Sequence, residues 1–334
     1  MVPFEDPIFL GLRTQYYRYL VKHLATVNKL MNSNLAVENS LAIHSLYVLS
    51  SLDANMSGHL WHKHMQGAFA YVQHLGGVKG VQNLPNGLHR FRLLLCRAIF
   101  GNTLSPATNQ MLGYACYTDD ELQIALRDQE VSGDTPCPVD MLMCMIQISR
   151  LRTQLAYRVT EKPTLLAEVQ QTFDAINGFD LQAWAAERNL SDKGITLSLG
   201  EVYVVAVRLY GYLTLPHTRL TNRTANQHHT RVMGGLDSGH GRCEAETRRL
   251  MKLLRHLWSN ITYKPALMWP LLVAGVGLST GTAEDRQFVD NCVVSIWQSP
   301  IIECNSIQGL EKLRIFWAGG YTAWDDCFNE PSMC

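Results

Sequence analysis

Apolar side chains recur at steps of three and four residues along most of the chain, which is the spacing of a helix with one buried face. Strand-like alternation is nearly absent, and only "GEVYVVAVRLY" (200–210) could be mistaken for a strand. The sequence therefore predicts an all-α fold, an array of roughly ten to twelve helices in one continuous domain over residues 1–334. Helices are predicted over 8–31, 37–52, 58–75, 88–100, 138–156, 163–176, 197–213, 245–259, 266–278, 283–298 and 307–328.

Residues 215–243 interrupt this pattern. The segment is polar, rich in histidine and glycine, and without periodicity. Because long structureless loops are uncommon inside a compact domain, we expect a flexible, mildly basic insertion between two helices.

Composition narrows the range of functions that the chain can have. The chain has 29 basic and 29 acidic residues, so its formal net charge is zero, whereas proteins that grip DNA usually carry a basic excess. No apolar run is long enough to predict a membrane span, and the N-terminus lacks the basic start of a signal peptide. The nine cysteines are scattered without a C-x-x-C pair, which favours reduced thiols in a cytosolic or nuclear protein.

A histidine-rich stretch, "HLWHKHMQGAFAYVQHLGG" (59–77), has two interpretations. Its imidazoles could hold a metal ion, but a zinc site needs three or four ligands, and no acidic residue occurs between 54 and 118. The alternative is an ordinary buried helix, in which most of these histidines bind no ligand. The histidines concerned are His59, His62, His64 and His74.

The helix interpretation assigns structural roles within the same stretch. Trp61, Ala68, Val72 and Leu75 fall on one apolar stripe, and His64 or Met65 lies near it. A glycine costs free energy inside a helix, so Gly67 predicts that another helix crosses closely. The pair Gly76-Gly77 predicts a C-terminal cap.

Two acidic runs, "DDELQ" (119–123) and "DDCFNE" (325–330), resemble the aspartate-rich motifs of all-α terpene synthases, where carboxylates hold magnesium around a diphosphate. The second element of such enzymes, N-D-x-x-S-x-x-x-E, is absent. Asp119, Asp120 and Glu121 sit where a helix would start, and the helix dipole favours acids there. The sequence predicts no catalytic, cofactor-binding or metal-binding residue and no cofactor.

A basic cluster, "RRLMKLLRH" (248–256), forms one side of an amphipathic helix. It could be a nuclear-import or nucleic-acid patch, or simply the solvated face of a helix whose leucines point inward.

Three stretches together resemble the fungal-specific transcription factor domain. The first, over 45–77, has a leucine-rich helix followed by a W-x-x-H-x-x-G-A helix that ends in Gly-Gly. The second, "ALMWPLLVAGVGL" (266–278), is similar to a W-P-L helix, with Asp285-Arg286 opening the next helix. The third, 310–330, is similar to the closing helix, on which Trp317 and Trp324 would share a face. The positions that match are Trp61, His64, Gly67, Ala68, Gly76, Gly77, Trp269, Pro270, Leu271, Ala274, Gly275, Trp317, Trp324, Asp325, Phe328 and Glu330.

The resemblance implies a nuclear, non-enzymatic transcription regulator of all-α fold. It also permits a role in controlling a secondary-metabolite gene cluster. Members normally carry an N-terminal binuclear zinc cluster with six cysteines, which this sequence lacks, so direct DNA binding is not carried over. The chain is then either part of a longer factor or a regulator that acts through a zinc-cluster partner or other proteins of the transcription machinery. Two alternatives stay open at this point: an all-α enzyme of terpenoid type that uses magnesium, and a helical protein-interaction adaptor.

Overall fold

A computed structural model describes residues 7–56, 61–109, 113–127, 137–157, 162–187, 193–215, 238–299 and 306–332. These residues form fifteen α-helices and no strand, which confirms the all-α prediction. The helices are α1 (Pro7–Met31), α2 (Ala36–Met56), α3 (Trp61–His74), α4 (Gly77–Gln82), α5 (Gly87–Thr103), α6 (Asp119–Leu126), α7 (Val139–Tyr157), α8 (Lys162–Asn177), α9 (Leu181–Ala186), α10 (Lys193–Thr214), α11 (Ser238–Trp258), α12 (Met268–Gly277), α13 (Ala283–Trp297), α14 (Ser306–Gly319) and α15 (Trp324–Cys327).

The strand-like stretch at 200–210 is helical, as predicted. It lies in α10, where Val202, Val205, Ala206 and Leu209 are fully buried at three- and four-residue steps. This run of apolar residues, which includes four valines, therefore marks a helix that is buried over a wide face. The short helices α4 and α9 were not predicted, because six residues are too few for a helical period to be recognised.

The prediction of one continuous closing helix over 307–328 is wrong. α14 ends at Gly319, the next residue Gly320 has φ +68°, and α15 begins only at Trp324. A left-handed residue ends a helix, and glycine adopts that conformation without steric cost. Trp317 and Trp324 therefore lie on separate helices.

α11 begins earlier than predicted, at Ser238. The last residues of the predicted insertion, 238–243, are therefore helical. Residues 216–237 of that insertion lie outside the described part of the chain.

The helices group into two compact units. Unit 1 comprises Met1–Ala98 and Met111–Asp128, and unit 2 comprises Ile99–Gln110 and Gln129–Cys334. That the whole chain forms one continuous domain stays a prediction.

In unit 1, α1 packs against α2 and α2 packs against α3. Its core includes a cluster of three aromatic rings, in which Phe69 of α3 and Phe91 of α5 have centroids 6.1 Å apart and Tyr117 contacts both.

In unit 2, α12 is the central helix. It packs against α10, α11, α13 and α14, and every residue from Met268 to Val276 is buried. A helix that is apolar on all sides needs such a position. Across the part of the chain that the structure describes, no helix combines the length and apolar character needed to cross a membrane.

Candidate functional site

The histidine-rich stretch forms α3, and its main role is structural. Trp61, Ala68 and Val72 are buried, as predicted, and Met65 rather than His64 completes the buried stripe. Leu75 is only half-buried. His59 lies outside the described residues.

Two imidazoles of α3, those of His62 and His64, are half-buried at the edge of the core, whereas His74 is exposed. Burial lowers the pKa of His62 and of His64, and the carboxylate of Asp53 opposes the shift in both. Both rings are therefore neutral near pH 7. Among the residues that the structure describes, no three His, Cys, Asp or Glu side chains are grouped so that they could hold a metal ion.

The predicted close crossing at Gly67 is wrong. Gly67 is exposed, and a Cβ atom added there would meet nothing within 4 Å. One close approach between helices occurs at Gly275 of α12, where an added Cβ would lie 2.6 Å from a methyl carbon of Leu313 on α14. The indole of Trp317 donates a hydrogen bond to the carbonyl of Gly275 over 2.8 Å. A glycine that permits close helix packing therefore lies in the W-P-L motif.

The glycine pair after α3 acts as predicted. Gly76 and Gly77 have φ values of +96° and +69°, and the Gly76 N–H donates to the carbonyl of Gln73 over 3.0 Å. Positive φ values of this kind end a helix and redirect the chain.

Carboxylates from both acidic runs have structural roles. The Thr118 hydroxyl accepts from the Glu121 N–H, and a Glu121 carboxylate oxygen accepts from the Thr118 N–H over 2.9 Å, which forms a capping box at the start of α6. In the second run, Asp325 pairs with Arg152, and Asp326 accepts from the Ala323 N–H. Each of these carboxylates stabilises an element of the fold.

A buried arginine organises the second acidic run. The Arg152 side chain on α7 is 1% exposed, and its guanidinium donates to Asp325 of α15 over 2.5 Å. The same guanidinium donates to the Tyr210 hydroxyl over 2.6 Å and to the Ser105 carbonyl over 3.1 Å. This set of acceptors allows a cation to remain in the core of unit 2.

Two indoles meet next to this arginine at Thr103, the last residue of α5. Trp269 donates to the Thr103 hydroxyl and Trp324 to the Thr103 carbonyl, each over 2.7 Å. The Tyr210 ring lies edge-on against Trp324 with centroids 4.9 Å apart. Residues of two separate motifs therefore join one buried network in unit 2.

Sequence reasoning missed Arg152, Tyr210 and Thr103. A signal for Arg152 was present, because it continues the apolar helical face of Met145 and Ile148 at steps of three and four residues. A lone cation on an apolar helical face indicates a buried partner. Nothing in the sequence marked Thr103.

The basic cluster on α11 is largely a solvated helix face. Leu250, Leu254 and Leu257 are buried, while Arg249 pairs with Glu201 over 2.8 Å. The Arg255 guanidinium donates to Asp285 over 2.9 Å. Carboxylates already compensate two of the cations, which weakens the case for a nucleic-acid surface here.

Unit 1 has a groove between α1 and α2, here named the α1–α2 groove, with a volume of about 310 Å³. It is open to solvent and almost entirely apolar in character. The imidazole of His23 lies 3.1 Å from the Ser45 carbonyl and holds the two helices together beside it. The groove is lined by Tyr16, Tyr19, Leu20, Lys22, His23, Thr26, Leu49 and Leu52.

Comparison with known proteins agrees with the motifs. A family model for the fungal specific transcription factor domain matches residues 12–301. The match ends before α14, so the motif at 310–330 lies beyond it.

One relative is the phomenoic acid biosynthesis cluster-specific transcriptional regulator of Leptosphaeria maculans. It is 22% identical over 275 residues, which cover 81% of this chain and 50% of the relative. The chain thus spans about half the length of the relative that it matches. No solved structure matches the chain.

The family model covers well over half of the chain, including the α3 and W-P-L motifs, and the fold is all-α as the resemblance implied. The chain therefore belongs to the fungal specific transcription factor domain family.

Proposed function

We propose that this chain is the regulatory region of a transcription regulator that controls a biosynthetic gene cluster. The observation that carries the proposal is the family match over residues 12–301. The relative from Leptosphaeria maculans supports the cluster-specific role, since its name assigns it to one biosynthetic cluster.

In this proposal the chain works in the nucleus and acts through other proteins. Its net charge is zero, and the α11 cations are partly paired with carboxylates, so the chain offers little surface for phosphate contacts. We assign DNA reading to another domain or to a zinc-cluster partner. The function of this chain is then to receive a signal or to contact proteins of the transcription machinery.

Deletion of the gene, followed by measurement of transcripts from the neighbouring genes, tests the proposal. We expect the transcripts of one adjacent biosynthetic cluster to change by severalfold and to recover when the gene is reintroduced. Unchanged transcripts under conditions that induce the cluster would refute the regulatory role.

A second assay separates regulator from enzyme. We expect the purified chain to show no magnesium-dependent turnover of a prenyl diphosphate. Turnover that disappears in Asp120→Asn, a residue in the first turn of α6, would favour the terpenoid alternative. The matched control is Glu284→Gln, because Glu284 occupies the first turn of α13 outside both acidic runs.

A further inference from the structure

α1 exposes apolar side chains that a helix of this length normally buries. Between residues 14 and 31, whose side chains the structure describes, only Val27 is buried. Tyr19 is 70% exposed and Val21 65% exposed. Single exposed apolar residues are common, but a cluster of them on one helix indicates a binding surface.

The α1–α2 groove gives this surface a concave part. Tyr19 forms one wall from α1, and Leu52, which is 43% exposed, forms part of the other wall from α2. Leu20 of α1 and the fully buried Leu49 of α2 also line the groove. A concave apolar channel beside a long helix is the kind of site that receives the apolar face of another helix.

The exposed charges that α1 places around the groove are positive. Among the α1 side chains that the structure describes, Arg18, Lys22 and Lys29 are cationic and none is acidic. Arg18 and Lys22 are exposed, and Lys22 also lines the groove. The nearby carboxylate of Asp53 is buried, with 3% exposure.

This local excess contrasts with the neutral chain as a whole. It therefore favours an occupant that carries negative charge.

We propose that the α1–α2 groove binds an amphipathic acidic helix of a partner protein. Leucine or phenylalanine side chains of the partner fill the channel between Tyr19 and Leu52, and its carboxylates pair with Arg18 and Lys22. That the partner belongs to the transcription machinery rests on the proposed function. The binding itself is a property of the purified chain and does not depend on it.

A protein helix fits this surface better than a nucleic acid does. The groove is lined by three tyrosine or leucine side chains from α1 and two leucines from α2, together with one lysine, one histidine and one threonine. Nucleic acids are held mainly by many phosphate contacts, and a neutral chain with a few cations on one helix supplies few of them. An apolar channel rewards inserted aliphatic side chains instead.

The test measures fluorescence anisotropy of a labelled synthetic peptide with the purified full chain. The peptide has about 18 residues, with Leu and Phe at helical spacing and Glu at the other positions, which gives five helical turns. We expect saturable binding that weakens as salt is raised, because the charged pairs are exposed. A peptide with Lys in place of every Glu should not bind.

Variants locate the site. Tyr19→Ser removes an apolar wall and Lys22→Glu reverses a rim charge, and each should weaken binding of the acidic peptide at least about tenfold. Ile315→Ser and Lys252→Glu make matched changes at exposed positions in unit 2, and both should bind as the unaltered chain does. Circular dichroism checks that each variant keeps its helix content.

Several results would overturn the inference. They are the absence of peptide binding, equal binding of the lysine peptide, or equal affinity of all four variants. Tighter binding of a labelled DNA or RNA strand that is lost in Lys22→Glu would assign the surface to nucleic acid. Dimerisation in sedimentation experiments that Tyr19→Ser abolishes would assign it to a second copy of the chain. Peptide binding without any effect of gene deletion on transcripts would refute the proposed function alone.

Discussion

Arg152 and Asp325 are 173 residues apart in sequence and form an ion pair of 2.5 Å that joins α7 to α15. The two partners differ in environment, because the Arg152 side chain is 1% exposed and the Asp325 side chain is 52% exposed. The cation therefore depends on protein acceptors, whereas the carboxylate retains much of its hydration. Removing Arg152 and removing Asp325 should therefore have unequal effects on the free energy of unfolding.

We expect Arg152→Leu to destabilise the chain by about 3 kcal/mol or more, because it leaves the Tyr210 hydroxyl and the Ser105 carbonyl without their donor. Asp325→Asn should cost about 1 kcal/mol, since water screens the pair and Arg152 keeps its other acceptors. Urea denaturation followed by circular dichroism measures both values. Equal losses in the two variants would contradict a cation that is held mainly by the core.

Much of the helical framework could be predicted, because a helix that buries one face has apolar residues at a regular spacing in its sequence. The start of α13 was also marked in sequence by Asp285-Arg286, and in the structure Thr282 accepts from the Asp285 N–H over 3.1 Å. The break after Gly319 was missed, since a glycine pair inside an apolar pattern is compatible with either a kink or a stop. Backbone conformation at Gly320 decides between them.

Two helical glycines should respond in opposite ways to alanine. Gly67→Ala should stabilise the chain by about 0.5–1 kcal/mol, because the added methyl group enters open space and the helix propensity rises. Gly275→Ala should destabilise it by about 1–3 kcal/mol, because the new Cβ would lie 2.6 Å from fully buried Leu313. Thermal unfolding of the two variants beside the unaltered chain measures the difference.

Leu313→Ala in the Gly275→Ala background tests the cause. If crowding is responsible, the double variant should lose less stability than the sum of the two single variants. Strict additivity would mean that Gly275 matters for another reason.

The hydroxyl of Thr103 should be needed for the packing of Trp269. Thr103→Val keeps the side-chain shape but removes the acceptor of the buried indole N–H, which should cost about 1–3 kcal/mol. Thr214→Val is the control, since the Thr214 hydroxyl donates to the Tyr210 carbonyl within its own helix. Similar losses in both variants would rule out a special role for the Trp269 contact. Chemical denaturation gives the two free energies.

The candidate sites could be predicted only in part. Trp269, Trp324 and Asp325 were marked by the family motifs, but their meeting with Thr103 and Arg152 depends on contacts distant in sequence, which periodicity does not encode. The α1–α2 groove had a local signal in the absence of acidic residues from α1. That signal indicates the charge of the helix. It does not indicate which side chains stay exposed, because their exposure depends on how α2 packs against α1.

Stability should fall as the pH is lowered from 7.5 to 5.5. Burial lowers the pKa of His62 and His64, and burial followed by the charge of Arg90 lowers the pKa of His44. Below the histidine pKa of about 6.5 in the unfolded chain, the unfolded chain binds protons that the folded chain does not. Acid therefore favours unfolding until the pH falls below each folded pKa.

His64→Gln should reduce the loss of unfolding free energy across this range. Lys79→Gln changes an exposed charge in unit 1 and should leave the loss unaltered. Urea denaturation at several pH values decides the matter, and an identical pH dependence in His64→Gln and the unaltered chain would remove His64 from the explanation.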